Sequence, residues 1–317
     1  MHELALSLSP SLPAATSESL QAWDVAARHA LSDNTQRAYA SDSRAFADWC
    51  RAEGLPMLPA SPDTVTKFLC AESAAGRAVA SIRRRAATIS RMHRAAGVAN
   101  PCEHEFVRLA LKGIGRTRGT DQKQAAGLTE RDTLTIRARL GDTVRNVRDL
   151  ALLLAGRDLL SRASELVALT VADLEAADDG GMLVQVRRHK TMTQTNSYFI
   201  GPEASEALQA WLTRAGITQG PVFQSLTKGG KATGRPLTTR DIRRTLKALA
   251  VAARLKHGKD VSGHSLRVGM AQDLVAADMD MASVMQAGGW TTPRMVARYT
   301  EKLTARRGAV ARYYSDR

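Results

Sequence analysis

The stretch of residues 264–299 reads HSLRVGMAQDLVAADMDMASVMQAGGWTTPRMVARY. It carries an imidazole at His264, a guanidinium at Arg267, an indole at Trp290 and a phenol at Tyr299, separated by 3, 23 and 9 residues. His264 and Arg267 open a helical pattern and lie one turn apart on one face. Ser262 and Gly263 ahead of them allow capping and close backbone approach. Singly, each residue has a structural explanation: a capped helix start with surface charges, a core tryptophan, a packing tyrosine. Together they meet the needs of chemistry at a phosphate. A phenol is a nucleophile, and guanidinium, imidazole and indole N–H groups donate to phosphate oxygens.

The composition points to the same kind of partner. Lys and Arg number 45 against 31 Asp and Glu, a net charge of +14 over 317 residues. A surface this basic favours a polyanion, most commonly nucleic acid. The length suits two domains. A metal-dependent route would need clustered carboxylates. Asp178-Asp179, beside Gly180-Gly181, reads as a turn rather than such a cluster. The expectation is chemistry by Arg, Lys and His, with no metal and no cofactor. Cys50, Cys70 and Cys102 fit neither a disulfide framework nor a zinc pattern and read as thiols of a reduced compartment. No run of 18 apolar residues suggests a membrane span, and the N-terminus lacks a basic segment followed by an apolar one. A cytoplasmic protein with no membrane partner is expected.

Working upstream, residues 1–17 read as a mobile tail, rich in Ser, Pro and Ala. Residues 18–112 read as a helical domain. Its segments start at Ser32-Asp33-Asn34 and at Pro62-Asp63, and a third runs over 78–95 with Val79, Ile82, Ile89 and Met92 as its apolar stripe. The other face of that third helix holds Arg77, Arg83, Arg84, Arg85, Arg91 and Arg94 with no carboxylate among them. A one-sign face repels itself unless a polyanion neutralises it, so DNA contact is expected there. Residues 113–127, with four glycines, read as a basic linker. Residues 128–317 read as a second, mostly helical domain. Thr129 caps its first helix, 146–159 form a buried one, and 182–186 with 197–200 form a hairpin or three-stranded ribbon.

These motifs resemble the tyrosine recombinases, the phage integrase family. The resemblance rests on HSLRVG, on MQAGGWTTPRMVARY and on the GAVAR tail (308–312). It extends to Leu160-Ser161-Arg162-Ala163-Ser164-Glu165-Leu166 and to Arg187-Arg188-His189-Lys190-Thr191. It implies a mainly α, two-domain DNA clamp. An N-terminal helical core-binding domain would join a mostly helical catalytic domain with a small antiparallel β-sheet. It also implies a site-specific recombinase that needs neither metal nor ATP. Tyr299 would attack the scissile phosphate and form a 3′-phosphotyrosyl bond. Arg162 and Arg267 would clamp the non-bridging oxygens, His264 and Trp290 would donate to them, and Glu165 would orient the cluster. Lys190 would protonate the leaving 5′-oxygen, with Arg188 a neighbouring competitor. Reversal onto another strand would give a Holliday junction.

Arg240 falls where the family places an arginine that looks into the major groove. Arg243, one turn on, departs from the pattern and implies a different target sequence. Thr35, Arg37, Arg83 and Arg84 fall on segments that the family places against DNA. The implied partners are double-stranded DNA with inverted-repeat half-sites around a short spacer, and three further copies in a homotetramer built by exchange of the C-terminal helix. That helix, with Val310, Tyr313 and Tyr314, could instead fold back on its own domain. A prokaryotic cytoplasm, with a phage or plasmid origin, fits this picture. The alternatives are a type IB topoisomerase or telomere resolvase, and a DNA-binding protein on the same scaffold that has lost catalysis.

Overall fold

Local signals at helix starts account for much of the N-terminal architecture. In this computed structural model, which describes residues 14–119, 124–186 and 196–315, the chain forms two compact units, Met1–Lys123 and Gln124–Arg317. The first holds α1 (Ala14–Ala30), α2 (Asp33–Ala52), α3 (Pro62–Ala74), α4 (Val79–Ala95) and α5 (Glu105–Arg118). Ser32 caps α2 by accepting the Thr35 N–H, and Ser61 caps α3 in the same way through Thr64, with Pro62 in the first turn. The apolar stripe of α4 is buried as expected, and it joins Leu20, Phe46, Phe68, Leu69 and Val107 in one core. Phe46 and Phe68 sit with ring centroids 5.0 Å apart.

Two boundaries differ from the sequence reading. Residues 14–17, read as the end of a tail, are the first turn of α1, where Thr16 and then Leu20 are buried. Residues 113–118, read as linker, continue α5 as far as Gly119, which ends it at φ 72°. Gly113 and Gly115 each cost about 1 kcal/mol in a helix. Burial of Ile114 and packing of Leu111 on the core offset that cost.

The second unit begins with α6 (Glu130–Arg137), set by a reciprocal capping box between Thr129 and Asp132. Helix α7 (Val144–Asp158) is buried along Ala151–Ala155, as its apolar run requires. Short α8 (Ala163–Ala168) leads to the antiparallel sheet β1 (Leu174–Ala176), β2 (Met182–Val186) and β3 (Asn196–Ile200), in that order, with Leu183 opposite Phe199. Helix α9 (Pro202–Ala215) packs on α7, and its Trp211 donates Nε1–H to the Val222 carbonyl at 2.8 Å. A second hairpin, β4 (Gln224–Leu226) and β5 (Ala232–Pro236), has no counterpart in the sequence reading. Helix α10 (Thr239–Ala252) buries one face, with Ile242, Leu246, Leu249 and Ala250; α11 (Ser265–Ala276), α12 (Met281–Gly288), α13 (Pro293–Arg307) and α14 (Ala309–Ser315) follow. Among the described residues, no helix is long and apolar enough to cross a membrane.

Candidate active site

The site starts where α7 ends. Ser161 N–H returns to the Gly156 carbonyl at 3.0 Å and Leu160 N–H to that of Arg157 at 2.8 Å, a Schellman closure. The residue in the left-handed position is Leu160, φ 45°, where glycine is usual. Such a position costs of order 1 kcal/mol and is a common form of strain near functional sites. It turns the Leu160 carbonyl toward Arg267, whose Nη1 donates to it at 2.8 Å. The next two residues bring in Arg162. Its backbone N–H donates to Glu165 Oε2 at 2.8 Å and its Nη1 to Oε1 at 2.6 Å. Glu165 is buried, while the Arg162 side chain stays 41% exposed. The carboxylate thus fixes one edge of a guanidinium whose remainder faces outward.

Arg267 is 1% exposed. Besides Leu160, it donates Nη2 to the Gly288 carbonyl at 2.5 Å, and its Cζ lies 4.2 Å from the Trp290 ring centroid. A guanidinium carries five N–H groups in a planar fork. The Gly288-Gly289 pair explains how the indole gets there. Gly289, φ 61°, caps α12 in the left-handed conformation. A Cβ on Gly288 would stand 2.1 Å from the Trp290 ring, so a side chain there would displace the indole. The Trp290 and Tyr299 rings follow at 5.9 Å between centroids.

His264 sits just before α11, whose first turns hold Arg267. The residue is exposed. Loss of hydration on its packed side lowers its pKa from the ordinary value, and the positive fields of Arg162 and Arg267 add to this; Glu165 acts in the other direction. His264 therefore feels the charges of Arg162, Glu165 and Arg267. Tyr299 lies on α13, which is anchored by the buried Val296 and Thr300. Among the described residues, no three His, Cys, Asp or Glu side chains stand close enough to hold a metal ion.

Lys190, with its competitor Arg188, lies outside the described residues. Arg240 and Arg243 are exposed on α10, behind a capping box of Thr238 and Asp241. Hydrogen bonds from Thr238 hold the Asp241 carboxyl below its ordinary pKa. In the N-terminal unit, Arg83 is exposed, and Arg37 folds back on the Asp33 carbonyl and on Asn34. The Thr35 hydroxyl bonds that of Ser32. Arg84 has a partner that the sequence alone does not show. Its Nε and Nη2 donate to the two oxygens of buried Asp42 at 2.9 and 2.8 Å, and Arg85 pairs with Glu72. The supposed one-sign face is partly neutralised by carboxylates from other helices. Leu160 is a site residue the sequence did not reveal, because an apolar side chain gives no sign of a left-handed backbone.

Residues 128–306 match the model of the phage integrase family, and residues 21–98 that of the phage integrase N-terminal SAM-like domain. This chain belongs to the phage integrase family. The integrase/recombinase XerD homolog of Selenomonas ruminantium is 31% identical over 85% of this chain and 82% of its own. The recombinase Cre of Escherichia phage P1 is 28% identical over 91% of this chain and 90% of its own. Among solved structures, a lambda integrase (75–356) dimer bound to a COC′ core site superposes with a TM-score of 0.63 at 17% identity, covering 89% of this chain and 94% of that one. XerH bound to palindromic difH substrate gives 0.62 at 14%, covering 88% and 79%. At these identities the superpositions speak for the fold. As a tyrosine recombinase, the chain is an enzyme of the site-specific recombinase class.

Proposed function

We propose that Tyr299 is the nucleophile of strand exchange on double-stranded DNA. The observations that carry this reading are the Glu165–Arg162 ion pair and the run of contacts from Arg267 through Trp290 to Tyr299, with His264 three residues before Arg267 and within the field of both arginines. Tyr299 Oη, its proton passing to solvent, attacks the scissile phosphorus as the P–O5′ bond breaks, leaving a 3′-phosphotyrosyl ester and a 5′-hydroxyl. The ester conserves the bond energy, so reversal with another strand's 5′-hydroxyl rejoins the DNA and builds a Holliday junction. Arg162 and Arg267 bind the non-bridging oxygens, a task that suits guanidinium geometry. His264 and Trp290 donate to the same oxygens as charge develops. Lys190 supplies the proton to the leaving oxygen.

The DNA is read as inverted half-sites around a spacer. Arg240 and Arg243 on α10 face base edges. Thr35, Arg37 and Arg83 contribute from the first unit, whose last helix ends at Arg118 and which is joined to the catalytic unit that starts at about residue 128. Val310, Tyr313 and Tyr314 are exposed on α14, which supports donation of this helix to a neighbouring copy in a ring of four. The setting is a prokaryotic cytoplasm.

The test needs the DNA site, which binding selection from a random duplex library supplies. On the selected duplex nicked near the scissile phosphate, wild type is expected to give a covalent adduct on a denaturing gel. Tyr299→Phe should bind the duplex and give none. An adduct with Tyr299→Phe would move the nucleophile to Tyr313 or Tyr314.

A further inference from the structure

Helix α11 carries Arg267 on one side and a glycine, Gly269, two residues later. A Cβ at Gly269 would lie 1.9 Å from the Leu128 carbonyl oxygen, backbone against side chain with no room to yield. Residues 126–128, the end of the connection between the two units, lie directly on this helix. Leu128 N–H donates to the Ser265 carbonyl at 2.9 Å, Ala126 N–H to that of Asp260 at 3.3 Å, and Arg157 Nη1 holds the Leu128 carbonyl at 3.2 Å. Gly127 continues the close approach, since its Cβ would stand 3.0 Å from Gly269 Cα and 2.4 Å from Gln272 Oε1.

Gln272 faces two ways. Its oxygen end packs on Gly127, and its Nε2 donates to the Tyr299 carbonyl at 3.0 Å. Only the NH₂ end can donate to a carbonyl, so this bond fixes the amide orientation. The acceptor lies in mid-helix on α13 and uses a lone pair beyond its own helical bond. One side chain therefore ties the backbone of the phenol-bearing residue to the helix that holds the arginine clamp.

We propose that Gln272 is a positioning residue for the nucleophile, a strut from the end of the interdomain connection at Gly127 to the backbone of Tyr299. The inference rests on Tyr299 being the nucleophile. A misplacement of about 1 Å at a reacting atom costs about a hundredfold in rate. A strut that sets the register of α13 against α11 acts on that scale without touching DNA. Strain applied to the connection at Gly127 then reaches Tyr299 through one amide.

The test has three arms. In hydrogen exchange on the protein without DNA, Gln272→Ala and Gln272→Glu, both lacking the donor, are expected to speed exchange along 293–307 and leave 202–215 unchanged. On the selected nicked duplex, the same variants should form adduct about ten- to a hundredfold more slowly with DNA affinity within about twofold of wild type. Gln272→Arg, which keeps a donor, should recover most of that rate. In the third arm, Gly127→Ala should slow adduct formation, and the double variant Gly127→Ala/Gln272→Ala should be no slower than the worse single one. Unchanged exchange in Gln272→Glu would overturn the proposal. So would affinity falling in step with rate, an arginine variant as slow as alanine, or effects that multiply. If wild type itself forms no adduct, the nucleophile assignment falls and the strut loses its catalytic meaning. The exchange arm still reports whether the tether exists.

Discussion

The guanidinium of Arg267 lies over the indole of Trp290, its Cζ 4.2 Å from the ring centroid, while its two terminal nitrogens are held by the carbonyls of Leu160 and Gly288. Three separate segments therefore fix one buried cation: the end of α7, the end of α12 and the indole that follows it. A buried charge with this many partners is pre-organised, so it need not reorient when a phosphate arrives.

Replacing Arg267 by Lys keeps the charge and loses the fork. An ammonium cannot reach two carbonyls and face a ring in the same geometry. Adduct formation on the selected nicked duplex should fall by about 10³-fold or more, by analogy with arginine in phosphoryl transfer. The thermal midpoint should also drop, because a carbonyl left unpaired in the interior costs about 1–3 kcal/mol. Trp290→Phe retains a ring face and should be the milder change of the two. Equal rates for Arg267→Lys and wild type would show that the fork contributes nothing.

Gly288→Ala tests the same platform from behind. The new methyl would start 2.1 Å from the indole, so the ring must move. Overpacking of this kind costs about 1–3 kcal/mol. The expected result is a folded, DNA-binding protein with a large loss of adduct formation, since both Arg267 and Tyr299 neighbour the ring. Gly113→Ala, on the surface of α5 with nothing within 4 Å, serves as a matched control and should be neutral or slightly stabilising.

What the sequence disclosed follows from the range of each interaction. The intervals among His264, Arg267, Trp290 and Tyr299 are local features of three consecutive helices, and the structure brings these four together. Caps such as Ser61 and Thr129 sit within three residues of their partners, so the corresponding helix starts were legible. Leu160 was not, because nothing in a leucine announces φ 45°. The β4–β5 hairpin was missed because its strands are short and mostly unburied, with no alternation to read. The Arg84 ion pair was not legible because its partner, Asp42, is 42 residues upstream on another helix.

Buried His93 gives the N-terminal unit a pH dependence. Its Nε2 accepts the Ala60 N–H at 2.9 Å and its Nδ1–H donates to the Ile89 carbonyl at 2.9 Å, so the ring must be neutral with the proton on Nδ1. Burial lowers its pKa below the ordinary histidine value of 6.5, partly countered by the Ile89 bond. The unfolded chain therefore takes up this proton first as pH falls. Stability is full above about 6.5 and declines below it, by at most about 1.4 kcal/mol per pH unit for this one group. Urea unfolding at pH 7.5, 6.5 and 5.5 measures the slope, and His93→Gln should flatten it. A slope unchanged by that substitution would assign the pH dependence elsewhere.

Arg83 and Arg84, adjacent on α4, are expected to behave oppositely. Asp42 is 1% exposed and accepts from Arg84 twice and from Thr88 once. Arg84→Ala strips the buried carboxylate of its closest charge, with only Arg85 Nε left at 3.7 Å. Breaking a fully buried pair costs about 3–5 kcal/mol. Because half of the Arg84 side chain is in water, about 1–2 kcal/mol is the expected loss here. The salt dependence of DNA binding should hardly change. Arg83→Ala should leave the thermal midpoint where it is and reduce the slope of log affinity against log salt by about one. Paired melting and salt-titration curves on the two variants separate the roles. A reduced salt slope with Arg84→Ala would return that arginine to the DNA-facing surface.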